Sequence, residues 1–156
     1  VRQFINIDDA LLAGFEITWN QHLLSGISHF MSIAYTYGQD LDRDEALPEI
    51  APLDFRYLLS GDFINDKLHT EIGFRHVLQQ DRISNTYGET ETPSFSIVDM
   101  KASYIALPKL NLGIGIQNIF DVAYYEHLNR SVRGKERAIY APGRSFVLSL
   151  TLDLTN

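Results

Sequence analysis

The chain has 156 residues, 13 Lys and Arg against 20 Asp and Glu for a net charge of −7, 45% hydrophobic residues and no cysteine. That length suits one domain with its own core, and the composition argues against disorder and against a general affinity for nucleic-acid phosphate. Disulfide scaffolds, thiolate zinc sites, thiol nucleophiles and iron–sulfur clusters are excluded, and no apolar run is long enough for a transmembrane helix, which leaves membrane crossing to strands.

Apolar and polar residues alternate through most of the chain, the period that sends side chains to opposite faces of a strand. Phe15, Ile17 and Trp19 oppose Glu16, Thr18 and Asn20. After the tight turn Leu24-Ser25-Gly26, Ile27, Met31, Ile33, Tyr35 and Tyr37 oppose Ser28, Ser32, Ala34 and Thr36, with His29 and Phe30 breaking the pattern. Over 52–64, Leu53, Phe55, Tyr57, Leu59 and Phe63 oppose Asp54, Arg56, Ser60 and Asp62. Beyond Ile64-Asn65-Asp66, over 67–80, Leu68, Thr70, Ile72, Phe74, His76 and Leu78 oppose His69, Glu71, Gly73, Arg75, Val77 and Gln79. Over 95–106, Val98, Met100, Ala102 and Tyr104 oppose Asp99, Lys101 and Ser103. Past Leu107-Pro108-Lys109, Leu110, Leu112, Ile114 and Ile116 oppose Asn111, Gly113, Gly115 and Gln117. Phe146, Leu148, Leu150, Leu152 and Leu154 close the chain against Ser145, Val147, Ser149, Thr151 and Asp153. The reading is an all-β fold of about seven antiparallel strands.

The connections take turns in length. Three are tight, while residues 39–51, 82–94 and 120–143 form long polar loops. In an up-and-down sheet this gathers the short turns at one end and the long loops at the other, as in a transmembrane barrel with periplasmic turns and extracellular loops. Several alternating segments are longer than the roughly 9–11 residues that cross a bilayer, and Trp19, Tyr35, Tyr57, Tyr104 and Tyr140 fall toward segment ends, where interfacial girdles form. Alternation by itself also fits a soluble sandwich, because it does not say whether the apolar face meets lipid or a second sheet.

Leu110-Asn111-Leu112-Gly113-Ile114-Gly115-Ile116-Gln117-Asn118-Ile119-Phe120-Asp121, then Tyr124-Tyr125, then Pro142-Gly143-Arg144-Ser145-Phe146, resembles the C-terminal end of TonB-dependent outer-membrane receptors. Asn6 through Ala10 to Gly14-Phe15-Glu16, Ala34-Tyr35-Thr36-Tyr37, and Pro93 to Tyr104 resemble earlier strands of the same family, so the likeness runs through nearly the whole chain. It implies a piece of an antiparallel transmembrane β-barrel in the outer membrane, since about seven strands do not close a 22-stranded plugged transporter. The expected partners are outer-membrane lipid and lipopolysaccharide, the plug domain and remaining strands of the same receptor, TonB acting through that plug, and a metal-chelate substrate such as a ferric siderophore. The chain ends in Leu154-Thr155-Asn156, without the terminal aromatic residue common in the family.

The loop Tyr125, Glu126, His127 and Arg130 is the candidate for substrate contact, since phenol, carboxylate and imidazole can all bind metal chelates, and Arg133, Lys135 and Arg137 add positive charge for an anionic ligand or for lipopolysaccharide phosphate. A loop packed by its own tyrosines is the plainer alternative. Asp40, Asp42, Asp44, Glu45 and Glu49 lack the spacing of a calcium loop. His22, His29, His69 and His76 are scattered and receive no role, and Gly113 and Gly115 read as allowing close packing against a plug or closure of the sheet. No metal site, cofactor or nucleic-acid partner is expected, and no spacing picks out a catalytic set, so an enzyme is not expected. The alternatives are a smaller outer-membrane barrel acting as porin, adhesin or lipid hydrolase, and a soluble carbohydrate-binding β-sandwich.

Overall fold

A computed structural model describes residues 9–129 and 138–154. Its strands are β1 (Ala10–Leu24), β2 (Ile27–Asp40), the short β3 (Glu45–Ala46), β4 (Asp54–Phe63), β5 (Leu68–Val77), β6 (Phe95–Leu107), β7 (Leu110–Gln117) and β8 (Ser145–Leu152). All pair antiparallel in the order β1-β2-β4-β5-β6-β7-β8, with β3 beside β2. The expected seven strands are all present, and β3 is an addition inside the first long loop. Two expected boundaries shift. Residues Gln39 and Asp40, read as loop, stay in β2 because Leu11 and Ala10 of the long β1 lie opposite them. Leu78 and Gln79, read as strand, lie beyond β5, where the pairing thins to a Leu78 amide bond to the Leu53 carbonyl and a single bridge between Gln80 and Thr92.

Directly opposed residues of an antiparallel pair share a face, so the register tests the alternation across the sheet. One row crosses all seven long strands as Gln21, His29, Leu59, Ile72, Met100, Ile116 and Phe146. The neighbouring row on the other face runs His22, Ser28, Ser60, Glu71, Lys101, Gly115 and Val147. The two faces therefore stay separate from edge to edge. The apolar face is bare: Leu148 is 80% exposed and Phe146 70%. Among the described residues no second sheet covers it, so the partner layer that a sandwich requires is missing. The buried apolar cluster lies instead on the polar face, where Val77, Phe95 and Ile97 at the long-loop end receive Val122 and Tyr124 from the last loop.

The tight turns work by local backbone chemistry. Ile64, Asn65 and Asp66 all have positive φ, a conformation that Asn and Asp tolerate far better than a β-branched residue. Gly26 also has positive φ, and a Cβ there would come within 2.7 Å of the Asp62 carbonyl. β8 ends beside the β6–β7 turn, where the Asp153 amide donates to the Lys109 carbonyl at 2.9 Å. The last strand thus descends to the short-turn end, as the loop count requires. Among the described residues β1 and β8 each have one long neighbour, so the sheet they form is open at both edges.

Candidate functional site: the long-loop end of the polar face

Polar contacts tie the three long loops, 41–53, 78–94 and 118–144, to one another. Glu45 accepts from the Ser84 hydroxyl at 3.1 Å and from the Thr86 amide at 3.4 Å. Gln80 donates to the Ile50 carbonyl at 2.7 Å. Glu89 accepts from the Glu49 amide at 2.6 Å and the Ser84 amide at 2.9 Å, and lies 3.7 Å from His127 of the last loop. Arg82 donates to Gln39 at 2.6 Å and stacks over the Tyr37 ring at 3.8 Å. Ionised acceptors make the stronger hydrogen bonds, so Glu45 and Glu89 act as the knots of this bracing. Hydrogen bonding from the Thr86 side chain, with Ser84 behind it, outweighs burial and holds the Glu45 carboxyl below its ordinary value.

Beneath the loops, the register sets Arg56 directly opposite Arg75. Like charges so placed repel. Asp54, two residues before Arg56 on β4, meets both: Arg56 Nη2 lies 2.9 Å and Arg75 Nη2 2.8 Å from Asp54 Oδ2. Two guanidinium groups against one carboxylate leave a charge over. Glu126 supplies the balance from the last loop, 2.5 Å from Arg75 Nη1 and 3.1 Å from Nη2. Arg75 also lies 5.4 Å above the Phe95 ring, which packs on Tyr124 with ring centroids 4.3 Å apart. Burial, with the Glu126 carboxylate adding to it, pushes the Tyr124 phenol above its ordinary value.

Three of the four loop candidates are described, and Arg130 lies outside the described residues, as do Arg133, Lys135 and Arg137. Tyr125 packs edge-on against Tyr140 with centroids 5.4 Å apart. Glu126 is bound by Arg75, and His127, its side chain 4% exposed, accepts from or donates to Thr92 at 2.8 Å. Of these three, Tyr125 meets a second tyrosine of its own loop, while Glu126 and His127 are held by residues outside it. Among the described residues no three His, Asp or Glu come together as a metal-holding group. The acidic residues of 40–49 meet protein donors instead, as when Asp40 takes the Asp42 and Arg43 amides and the Arg43 guanidinium.

The residues that carried the family likeness turn out to build the root of the last loop. Asn118 is 3% exposed with φ 50°; its amide donates to Asp99 Oδ1 at 2.7 Å, and its side chain exchanges two 2.9 Å bonds with the Val122 backbone. Asp121 accepts from the Arg144 amide at 2.8 Å, and a Cβ on Gly143 would come within 2.6 Å of the same carboxylate oxygen. Arg144 in turn donates to the Ile119 carbonyl at 3.3 Å. Sequence reasoning missed Arg75, Asp54, Arg56 and Glu89. Their only signal was charge, on the polar face for the first three and in a loop for Glu89, and the partners of Arg75, 21 and 51 residues away, emerge only with the register.

Lower on the polar face a groove of about 270 Å³ is lined by Gly113, Gly115, Ser103, Val147 and Ser149 together with His69, Glu71 and Lys101. Gly113 admits the close approach of a neighbour in its own sheet, since a Cβ there would collide with the Ser149 hydroxyl, whereas a Cβ on Gly115 would meet only ordinary contacts. His69 bonds Asp62 at 2.7 Å and Glu71 at 3.4 Å. On the apolar face His76 bonds Ser96 at 2.7 Å, and His29 lies between Trp19 and Tyr57, its Nε2 without a hydrogen-bond partner.

The family described as TonB dependent receptor-like, beta-barrel, matches residues 2–119. No curated protein sequence matches the chain. Among solved structures, the copper transporter OprC is 26% identical with a TM-score of 0.82, over 92% of this chain and 24% of its own. The ferric yersiniabactin uptake receptor FyuA from Yersinia pestis is 14% identical with a TM-score of 0.77, over 94% of this chain and 24% of its own. FpvA from P. aeruginosa, bound to a heterologous ferric pyoverdine, is 21% identical with a TM-score of 0.70, over 92% and 19%. The chain thus spans a quarter or less of the length of each. A family match over most of the chain, together with an open antiparallel sheet that superposes on part of such barrels, shows that it belongs to the TonB-dependent receptors as a piece of their β-barrel.

Proposed function

We propose that the chain is the C-terminal wall of an outer-membrane active-transport receptor that takes up a metal chelate such as a ferric siderophore, energised by TonB through a plug domain carried elsewhere in the same receptor. The observation that carries this is the pair of unbroken faces on an open sheet, one bare and apolar, the other polar with loops folded over one end. Lipid takes the first face, and the second borders a polar lumen. Further strands pair with β1 and β8 to close the barrel, since unpaired edges of this length attract pairing. Lipopolysaccharide surrounds the long-loop end. Transport on this reading is gated passage with no covalent chemistry. The loop carrying Tyr125, Glu126, His127 and Arg130 borders the substrate's entry, with the Tyr125 and Tyr140 rings as its aromatic contact.

The similarity to a copper transporter and to siderophore receptors supports a metal-containing cargo and leaves two forms to separate. A strain deleted for the gene, grown on single iron or copper sources, should lose growth on one chelate and regain it with the plasmid-borne gene. Unchanged growth and unchanged metal uptake on every source would overturn the transport reading.

A further inference from the structure

We infer that Arg75 is an anion-binding residue and that Glu126 is its built-in competitor, holding the last loop down until an anionic ligand displaces it. The guanidinium offers two edges. Asp54 takes the Nε–Nη2 edge from its own sheet, one strand away, and the register fixes that pair. Glu126 takes the Nη1–Nη2 edge from a loop 51 residues further on, and both Arg75 and Glu126 keep partial access to solvent. Forked two-oxygen binding of this kind is what a guanidinium also offers a free carboxylate or another oxyanion.

Charge says why an anion must occupy that edge. Arg56 and Arg75 bring two positive charges to one register position and Asp54 returns one. Lifting Glu126 leaves a positive charge facing the polar side with no local partner. A ligand with two coplanar oxygens restores the balance in the same place, and the Phe95 ring beneath the guanidinium, packed in turn on Tyr124, keeps Arg75 in position to receive it. The remaining charged and titratable groups nearby are already engaged: Asp99 takes the Asn118 amide, and His127 meets Thr92 and Glu89. The ligand class is a small di- or polycarboxylate or a similar oxyanion, alone or as the outer groups of a chelate.

The inference rests on the receptor reading only in calling this side of the sheet the lumen. Its test uses the purified full-length receptor in detergent with malonate as the probe. Malonate should bind saturably and speed amide exchange in residues 122–129, while sodium chloride of equal ionic strength should not. In Glu126→Gln the exchange should be fast without malonate, and malonate should bind about tenfold tighter because no competing carboxylate remains. Arg75→Lys, which keeps the charge and loses the fork, should lose most of the binding. Equal malonate affinity in wild type and Glu126→Gln, binding that survives Arg75→Lys, or loop exchange that follows salt alone would each overturn the inference. Uptake by the unmodified receptor is measured separately, so the transport reading survives that failure.

Discussion

Asn118 shows how one side chain governs a 27-residue excursion between β7 and β8. Its positive φ suits Asn, and its amide group copies a turn of backbone by bonding both polar groups of Val122. Asn118→Ala keeps the strained backbone and strips both bonds, a loss of about 2 kcal/mol from the loop root. Trypsin should cut the last loop of the Asn118→Ala receptor faster than wild type. Asn118→Gly, which eases the backbone without restoring the bonds, should fall between the two. The motif position was visible in the sequence, whereas its full task was not: the bonds to Val122 are local, but the one to Asp99 depends on how β6 and β7 pair. Arg75 was hidden for a related reason: nothing near it in the chain distinguishes it from Arg56, and only the register makes the pair need a second carboxylate.

Strands were the most legible elements, because one bare apolar face and one polar face impose the two-residue period on each of the seven long ones. β1 at 15 residues and β2 at 14 exceed the crossing requirement, and their extra length reaches beyond Tyr35 into the loop layer. Loops were legible only as length and polarity, since their structure comes from bonds between loops. Glu45 gives that layer a pH dependence of known sign. Its carboxyl is depressed in the folded state, so its contribution is complete above the ordinary value of 4.5 and declines as pH falls through the lower folded value. Amide exchange at Thr86, taken relative to its intrinsic rate at each pH, should therefore stay slow at neutral pH and rise in acid. Glu45→Gln should be faster at neutral pH and lose the acid-dependent rise. An unchanged acid profile in Glu45→Gln would place the sensitive group elsewhere.

For the whole molecule the decisive contrast is between two neighbours on β8. Leu148 points from the bare face and Ser149 from the polar one. In the full receptor, Leu148→Lys should cost roughly 2–4 kcal/mol if it sits near the bilayer midplane. Ser149→Lys, beside the groove that runs along Gly113 and Gly115, should cost much less. Urea unfolding of the receptor reconstituted in lipid vesicles measures both, and equal costs would mean that lipid does not lie against the apolar face. The loop bracing has a different consequence, for recognition from outside. Glu89 joins all three long loops, through Glu49, Ser84 and His127. An antibody or phage protein that grips this end meets a composite epitope, which peptides copied from any single loop will not reproduce. A single escape substitution at Glu89 would alter the shape of all three loops together.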